Sequence, residues 1–392
     1  MILNILRWFK HSFYTLLYRF FGLFPLQKNK IFIVNFRGRG YGDNAKYIVN
    51  ALMAQGCDYE IYWSVKNLNE ALPAGIKKVK YNSLKAVFHE ATAHVWLDNC
   101  RKMLWVRKRK NQYYIQTWHG DIGFKKIEKD AAKGALSLSY IQDALNDSKM
   151  ANLLVSGNGW FTKKIHEAFW YDGEIATCGY PRRDILYTTD LALQKAIKTR
   201  LNIDPEAKVL LYAPTFREKA ENPDFSVYRL DWAGVISALE ERFGGKWVGM
   251  VRLHPNIAQY ADKLEIPEGV VNATDYPDMQ ELLLIGDCCI SDYSSSIVDF
   301  AVTGKQGFIF ATDVDAYKRD RECYFSFEEM PFPFARSNEE LIQNILSFDK
   351  EEYMQSHFKF YHESLGMYEE GNAAPYIAKL IQEKCFDQGS KE

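Results

Sequence analysis

Two histidines stand where chemistry is placed in α/β folds. His119 lies in Gln116-Thr117-Trp118-His119-Gly120 and His254 in Val251-Arg252-Leu253-His254-Pro255. Each ends a short apolar, β-branched run, where a buried strand hands the chain to a loop, and such loops hold the ligand sites of these sheets. One histidine per half of the chain suggests a cleft, although a histidine beside glycine or proline also serves simply to satisfy a loop carbonyl. A third cluster, Asp292-Tyr293-Ser294-Ser295-Ser296, opens an expected helix. Hydroxyls there stand beside unpaired N–H groups and the positive helix end, which suits phosphate oxygens. A plain N-cap accounts for the serines equally well.

The elements that must hold these residues come as two α/β series. The first has strands expected at 31–36, 60–65, 77–81, 95–98, 113–117, 152–156 and 174–178. Gly38, Gly40 and Gly42 follow the first strand, and Asp43-Asn44 read as the N-cap of a helix over 45–55. Strand, glycine loop, helix is a Rossmann-like opening, but the spacing is G-x-G-x-G, so it is a weak dinucleotide fingerprint. The second series has strands expected at 209–212, 247–253, 270–272, 288–291 and 308–310, with a helix over 279–285. Two Rossmann-like α/β domains facing a central cleft follow from this order, with segments 1–28, 29–190 and 191–392. The last of these includes the C-terminal helices.

A chain of 392 residues exceeds one comfortable core, and 47% hydrophobic with 25% charged residues excludes extensive disorder. A formal net charge of -1 offers nothing for nucleic acid. The seven cysteines are scattered and contain no C-x-x-C pair, so neither a disulfide framework nor a zinc site is indicated and reduced thiols are expected. Charge is uneven along the chain. No Asp or Glu precedes Asp43, while Trp8, Phe9, Phe13, Tyr14, Phe20, Phe21 and Phe24 alternate with Arg7, Lys10 and Arg19. That composition suits a helix lying in an anionic membrane interface, and a helix packed on its own domain is the alternative. The run is too short and too charged to span a bilayer or to act as a signal peptide. A second basic run, 101–110, reads as a solvated loop that adds to the same positive face.

Four ordered motifs then converge on one resemblance. Gln116-Thr117-Trp118-His119-Gly120, Tyr212-Ala213-Pro214-Thr215-Phe216-Arg217, Arg252-Leu253-His254-Pro255 and the tract from Asp278 to Phe325 together resemble the CDP-glycerol glycerophosphotransferase family of teichoic acid synthesis, with a weaker echo at Glu370-Gly371-Asn372-Ala373. The resemblance implies a glycosyltransferase-B-like α/β fold and transfer of glycerol phosphate or ribitol phosphate from a CDP-alditol to a hydroxyl of a lipid-linked (undecaprenyl-diphosphate type) or polymeric acceptor, with release of CMP. It implies His119 as general base and His254 as a phosphate-stabilising group. On the donor side it implies Arg217, Ser294 and Ser295 at phosphate, with Arg252, Thr274, Asp278 and Asp292 nearby. Gly40, Asp43, Trp118, Gly120 and Asp121 fall on the acceptor side. The expected location is the cytoplasmic face of the cell membrane, held peripherally.

Two departures from the family pattern stand out. Asp121-Ile122 follows Trp-His-Gly where the family commonly has Thr-Pro, placing a carboxylate that either orients His119 or reflects a different acceptor. Arg321-Glu322-Cys323-Tyr324-Phe325 lacks the usual glycine. The same residues also admit a nucleotide-sugar glycosyltransferase of this fold or a non-catalytic membrane scaffold. No carboxylate cluster forms a recognisable metal site, and Mg²⁺ dependence and homo-oligomer formation are left open.

Overall fold

The computed structural model describes residues 2–122, 125–131, 134–215, 225–254, 264, 266–320 and 322–386. They fall into two units, Met1–Asp121 with Glu128–Asp184 and Met367–Glu392, and Ile122–Ile127 with Ile185–Gly366.

In the first unit the chain runs α1 (Ile2–Phe21), β1 (Gln27–Val34), α2 (Asp43–Ala54), β2 (Glu60–Val65), β3 (Ile76–Lys80), α3 (Leu84–Thr92), β4 (Ala93–Asp98), β5 (Tyr113–Gln116), α4 (Leu138–Met150), β6 (Leu153–Ser156), α5 (Gly159–Ala168) and β7 (Glu174–Thr177). Its seven strands are parallel in the order β3-β2-β1-β4-β5-β6-β7. Helices cover both faces, so the central strands are continuous apolar runs, and Ile31, Phe32, Ile33, Val95, Trp96 and Leu97 are all buried.

The second unit follows as α6 (Leu191–Arg200), β8 (Lys208–Ala213), α7 (Trp232–Phe243), β9 (Trp247–Val251), β10 (Val271–Asn272), α8 (Met279–Ile285), β11 (Cys288–Ser291), α9 (Ser296–Ala301), β12 (Gln306–Phe310), α10 (Val314–Asp320), β13 (Phe334–Ala335), α11 (Asn338–Leu346) and α12 (Lys350–Phe358). Its six parallel strands run β10-β9-β8-β11-β12-β13. In both sheets the strand order reverses beside the first strand, which creates a ligand-binding switch point at the strand C-termini. The two-residue β13 was not anticipated, being too short to carry a pattern.

The last helix, α13 (Ala373–Phe386), does not belong with the second unit, where the expected segment 191–392 put it. Ile377, Ala378, Ile381 and Cys385 enter the core of the first unit beside Ala45, Ile48, Val49 and Leu52 of α2. The latter four recur at helical spacing, and burial of each of Ile48, Val49 and Leu52 stabilises by roughly 1.5–3 kcal/mol. Asp184 caps the returning helix by accepting from the N–H groups of Ala373 (3.1 Å) and Ala374 (2.6 Å).

Helix α1 packs one face on its own unit. Tyr18 is buried and its hydroxyl meets Glu90, Tyr14 donates to the Asn82 carbonyl (2.7 Å), and Phe21 packs edge-on against Phe88 at 5.4 Å. The opposite face leaves Phe9, Phe13, Leu16 and Phe20 exposed in one stripe, and Leu23 in the turn beyond the helix is exposed as well. No helix among the described residues is long and apolar enough to cross a membrane.

The basic run 101–110 is not a solvated loop throughout. Arg101 is buried between Glu128 (2.9 Å) and Asp147 (3.2 Å), and Lys102 between Glu90 (2.7 Å) and Asp98 (3.0 Å). A cation buried with two carboxylates has exchanged hydration for direct charge-assisted hydrogen bonds, so removing it strands both anions. Lys102→Met is expected to destabilise the protein by about 3–5 kcal/mol in urea unfolding. Lys77→Met, which breaks the solvent-exposed pair with Glu60, is expected to change stability by less than about 1 kcal/mol.

Candidate functional site

At the switch point of the first sheet, three consecutive inner strands end in polar residues. Asn35 follows β1, Asn99 follows β4, and Thr117-Trp118-His119 follows β5. Asn35 and Asn99 are each 1% exposed and bond through their side chains, with Asn99 Nδ2 donating to Asn35 Oδ1 (2.7 Å). Asn99 Oδ1 accepts from the Phe36 N–H (2.8 Å), and Asn35 Nδ2 donates to the carbonyls of Arg39 and Gly40 (3.2 Å each). The pair thereby ties the glycine loop to the end of β4.

His119 is attached to this scaffold through its ring. Nδ1 lies 2.6 Å from the Asn99 carbonyl, and because a carbonyl only accepts, Nδ1 carries the proton and Nε2 the lone pair of the neutral ring. Burial lowers the His119 pKa from its ordinary value, the Arg182 charge lowers it further, and the Asn99 bond, Asp43 and Glu128 oppose the shift. The net direction keeps the imidazole neutral and able to accept a proton.

The backbone here is bent to fit. Trp118 is left-handed (φ 54), and its carbonyl accepts from Thr117 Oγ1 (3.0 Å) and Asn44 Nδ2 (3.1 Å). The Trp118 indole is buried, packing 4.5 Å from the His119 ring and 4.8 Å from Phe169, with the Arg101 guanidinium 5.4 Å from its centroid. Trp118 therefore acts as the wall behind His119, and the buried Arg101 group supports that wall.

Other acceptor-side expectations fare differently. Gly40 adopts φ +74, a value that suits glycine, and Gly120 is half-buried after His119. Helix α2 begins at Asp43 with Gly42 in the cap position, so Asp43-Asn44 is not the side-chain cap expected. Asn44 instead bridges the Trp118 carbonyl and the Arg182 N–H (3.1 Å), and Asp43 pairs with Arg182 at 3.3 Å. Asp121 does not take the orienting role that its position beside His119 suggested, since the Asn99 carbonyl holds Nδ1. The Asp121 carboxylate is buried on Arg183 (2.6 and 3.0 Å) and Asn158 (2.8 Å), with Glu369 on the same guanidinium at 2.8 Å. Two acids on one arginine leave Glu369 raised to about 7, burial being the main cause. Arg182 and Arg183, together with Asn35 and Asn99, escaped the sequence analysis, and Asn44 was read there only as part of a cap. Their one signal is an unexpected polar residue directly after an apolar strand or beside a glycine loop.

Most of the residues expected on the donor side stand at strand ends of the second sheet. Asp292, after β11, accepts from the Thr215 N–H beyond β8 (2.9 Å) and from the Tyr293 N–H (2.6 Å). Ser294 accepts from the Ser296 N–H (3.2 Å) and pairs with its hydroxyl (2.8 Å), while Ser295 stands at the N-cap position of α9 without a side-chain cap bond. After β9, Arg252 donates to the Tyr276 carbonyl, Leu253 N–H donates to Thr274 Oγ1 (3.1 Å), and His254 is exposed. Burial lowers the Arg252 pKa against the pull of Asp278 and Asp275. Asp278 is buried and caps α8 through the Gln280 N–H (2.8 Å). Its carboxylate is thus committed at least in part to the fold. Arg217 lies outside the described residues. Among the described residues no three His, Cys, Asp or Glu side chains gather as a metal cluster.

Comparison with known proteins places the chain in a family. Residues 16–383 match the family described as CDP-Glycerol:Poly(glycerophosphate) glycerophosphotransferase. A teichoic acid glycerol-phosphate transferase of Staphylococcus aureus is 31% identical over 385 residues, covering 95% of this chain and 97% of the relative. A teichoic acid poly(glycerol phosphate) polymerase of Staphylococcus epidermidis is 31% identical over 366 residues, 90% of this chain but 50% of the relative. The chain thus spans about half the length of that polymerase, and 45% of its Bacillus subtilis counterpart. The solved wall teichoic acid polymerase TagF superposes with a TM-score of 0.83 at 27% identity over 100% of both chains. A His-to-Asn variant of TagF soaked with CDPG superposes equally well, at 0.83. With the family match spanning nearly the whole sequence, this chain belongs to the CDP-glycerol:poly(glycerophosphate) glycerophosphotransferase family.

Proposed function

We propose that the protein transfers glycerol phosphate, or ribitol phosphate, from a CDP-alditol to a hydroxyl of a teichoic acid acceptor, either lipid-linked through a diphosphate or polymeric, and releases CMP. The observation that carries this reading is the 2.6 Å bond between His119 Nδ1 and the Asn99 carbonyl, which leaves Nε2 as a base in a ring kept neutral by burial. The acceptor oxygen attacks the β-phosphorus of the donor as Nε2 takes its proton. A new P–O bond forms to the acceptor, the bond to the bridging oxygen breaks, and CMP departs with that electron pair. In the second unit, His254, Arg252 and the serines before α9 are assigned to the donor phosphates, with Arg217 joining them on the strength of its motif.

The reading extends to location. The stripe Phe9, Phe13, Leu16 and Phe20 is apolar and uncovered, as is Leu23 beyond the helix, and Lys10 and Arg19 on the same helix are exposed. An aromatic stripe flanked by cations binds an anionic bilayer surface without crossing it, so the protein sits peripherally on the cytoplasmic face of the membrane.

Four outcomes test these assignments. Incubation with CDP-glycerol, CDP-ribitol and a panel of UDP-sugars is expected to release CMP from a CDP-alditol and nothing from the UDP-sugars; the reverse result makes the protein a glycosyltransferase. His119→Ala is expected to lower kcat by about 10²–10⁴-fold with the fold intact by circular dichroism. Because the His119 pKa is lowered, the base stays neutral to more acidic pH, so the acid limb of kcat/KM should have its midpoint below the ordinary histidine value of 6.5. A midpoint above 6.5 removes His119 as the base. Separately, Phe13→Glu with Phe20→Glu should strip the protein from phosphatidylglycerol vesicles in a sedimentation assay, and unchanged sedimentation would reject the membrane role of α1.

A further inference from the structure

Arg37 differs from the other sheltered arginines of the first unit. Arg101, Arg107, Arg109, Arg182 and Arg183 all donate to carboxylates or carbonyls. Arg37 is half-buried too, yet among the described residues it makes no hydrogen bond or ion pair.

The chain holds it there against a conformational cost. Phe36 and Arg37 are consecutive left-handed residues (φ 41 and 55), a conformation costing roughly 1–2 kcal/mol for each side chain. The turn is fixed by the Asn35 carbonyl, which accepts from the N–H groups of Gly38 (2.8 Å) and Arg39 (2.9 Å), and by Asn99 Oδ1 on the Phe36 N–H (2.8 Å). Gly38 is seated so closely that a Cβ there would stand 2.8 Å from Tyr81 Cβ. The stem of Arg37 therefore loses little backbone freedom when the guanidinium binds.

Its position links two features of the unit. The neighbouring Phe36 ring packs 5.6 Å from the His119 ring. The Arg37 charge acts on Tyr81, on Cys100 next to Asn99, and on Asp143 of α4, and Asp143 also feels His11 of α1. Asp143 itself accepts from the Leu104 N–H (2.7 Å), not from Arg37. Arg37 thus stands one residue from a ring that packs on His119, with a planar donor fork that has no internal acceptor among the described residues and matches phosphate oxygens.

Resting on the reading of this unit as the acceptor side, we propose that Arg37 binds a phosphate of the acceptor and so aligns its terminal hydroxyl with His119. That phosphate is supplied by a phosphodiester of a polyol-phosphate chain or by the diphosphate of a lipid-linked acceptor.

The test titrates the full chain, without donor, with tri(glycerol phosphate), geranyl diphosphate and uncharged triglycerol. Arg37→Gln is expected to weaken one or both phosphate probes by about tenfold or more, the scale of a lost charge-assisted hydrogen bond. Triglycerol should be unaffected and Arg37→Lys should recover part of the affinity; the probe that responds identifies which phosphate is read. Both phosphate probes within twofold of wild type in Arg37→Gln, no wild-type binding of either, or an equal loss for triglycerol overturns the proposal. Binding is read apart from turnover, so a negative result here leaves the transferase activity to be tested independently by CMP release.

Discussion

A carbonyl oxygen can only accept, so the contact between the Asn99 carbonyl and His119 Nδ1 decides which ring nitrogen bears the proton. Much of the first unit can be traced to keeping that carbonyl and that ring in place. Asn99 is held by Asn35, which also shapes the glycine loop, and the His119 backbone is fixed through the left-handed Trp118 and the Asn44 amide. Buried asparagines suit this task because each offers donors and an acceptor without adding charge, so they leave the electrostatics of the imidazole to burial, Asp43 and Arg182.

Behind this layer the first unit buries full charges. Arg101 with Glu128 and Asp147, Lys102 with Glu90 and Asp98, and Arg183 with Asp121 and Glu369 each set one cation between two acids. Such groups contribute little net stability compared with apolar packing of equal volume. What they supply is geometry, since a guanidinium bonded to two carboxylates on different elements fixes those elements to within hydrogen-bond tolerance. Arg101 fixes the loop after β4 to α4 and backs the Trp118 wall; Arg183 joins the Asp121 loop to the segment that leads into α13. Asp98 is raised to about 6 by burial, with Lys102 holding it down, so even the acid that precedes Asn99 depends on its cation for its charge.

Much of the architecture was readable along the chain because it rests on short-range pattern. Apolar runs ending in glycine or in polar loops marked the strands, and the boundaries moved by a few residues, as when the run 247–253 yields β9 at Trp247–Val251. The motifs identified the family for the same reason, each being a continuous stretch whose residues stay adjacent in the fold. The misses have a common physical origin. Asp121 next to His119 in sequence is drawn to a buried arginine 62 residues away, and the C-terminal helix returns to the first core. Arg101 and Lys102 look like solvated charges until their acids, contributed by other elements, are brought to them.

By itself, then, the sequence determined two parallel Rossmann-like sheets, the loops that carry His119 and His254, and a first helix, since periodicity and strand-end residues are local properties. Only the tertiary structure decided which nitrogen of His119 is protonated, which carboxylates are committed to ion pairs, and which sheltered arginine of the first unit has none among the described residues. Those outcomes depend on hydrogen-bond and charge partners from distant parts of the chain, and a partner's identity is settled by distance and burial, which no linear spacing encodes.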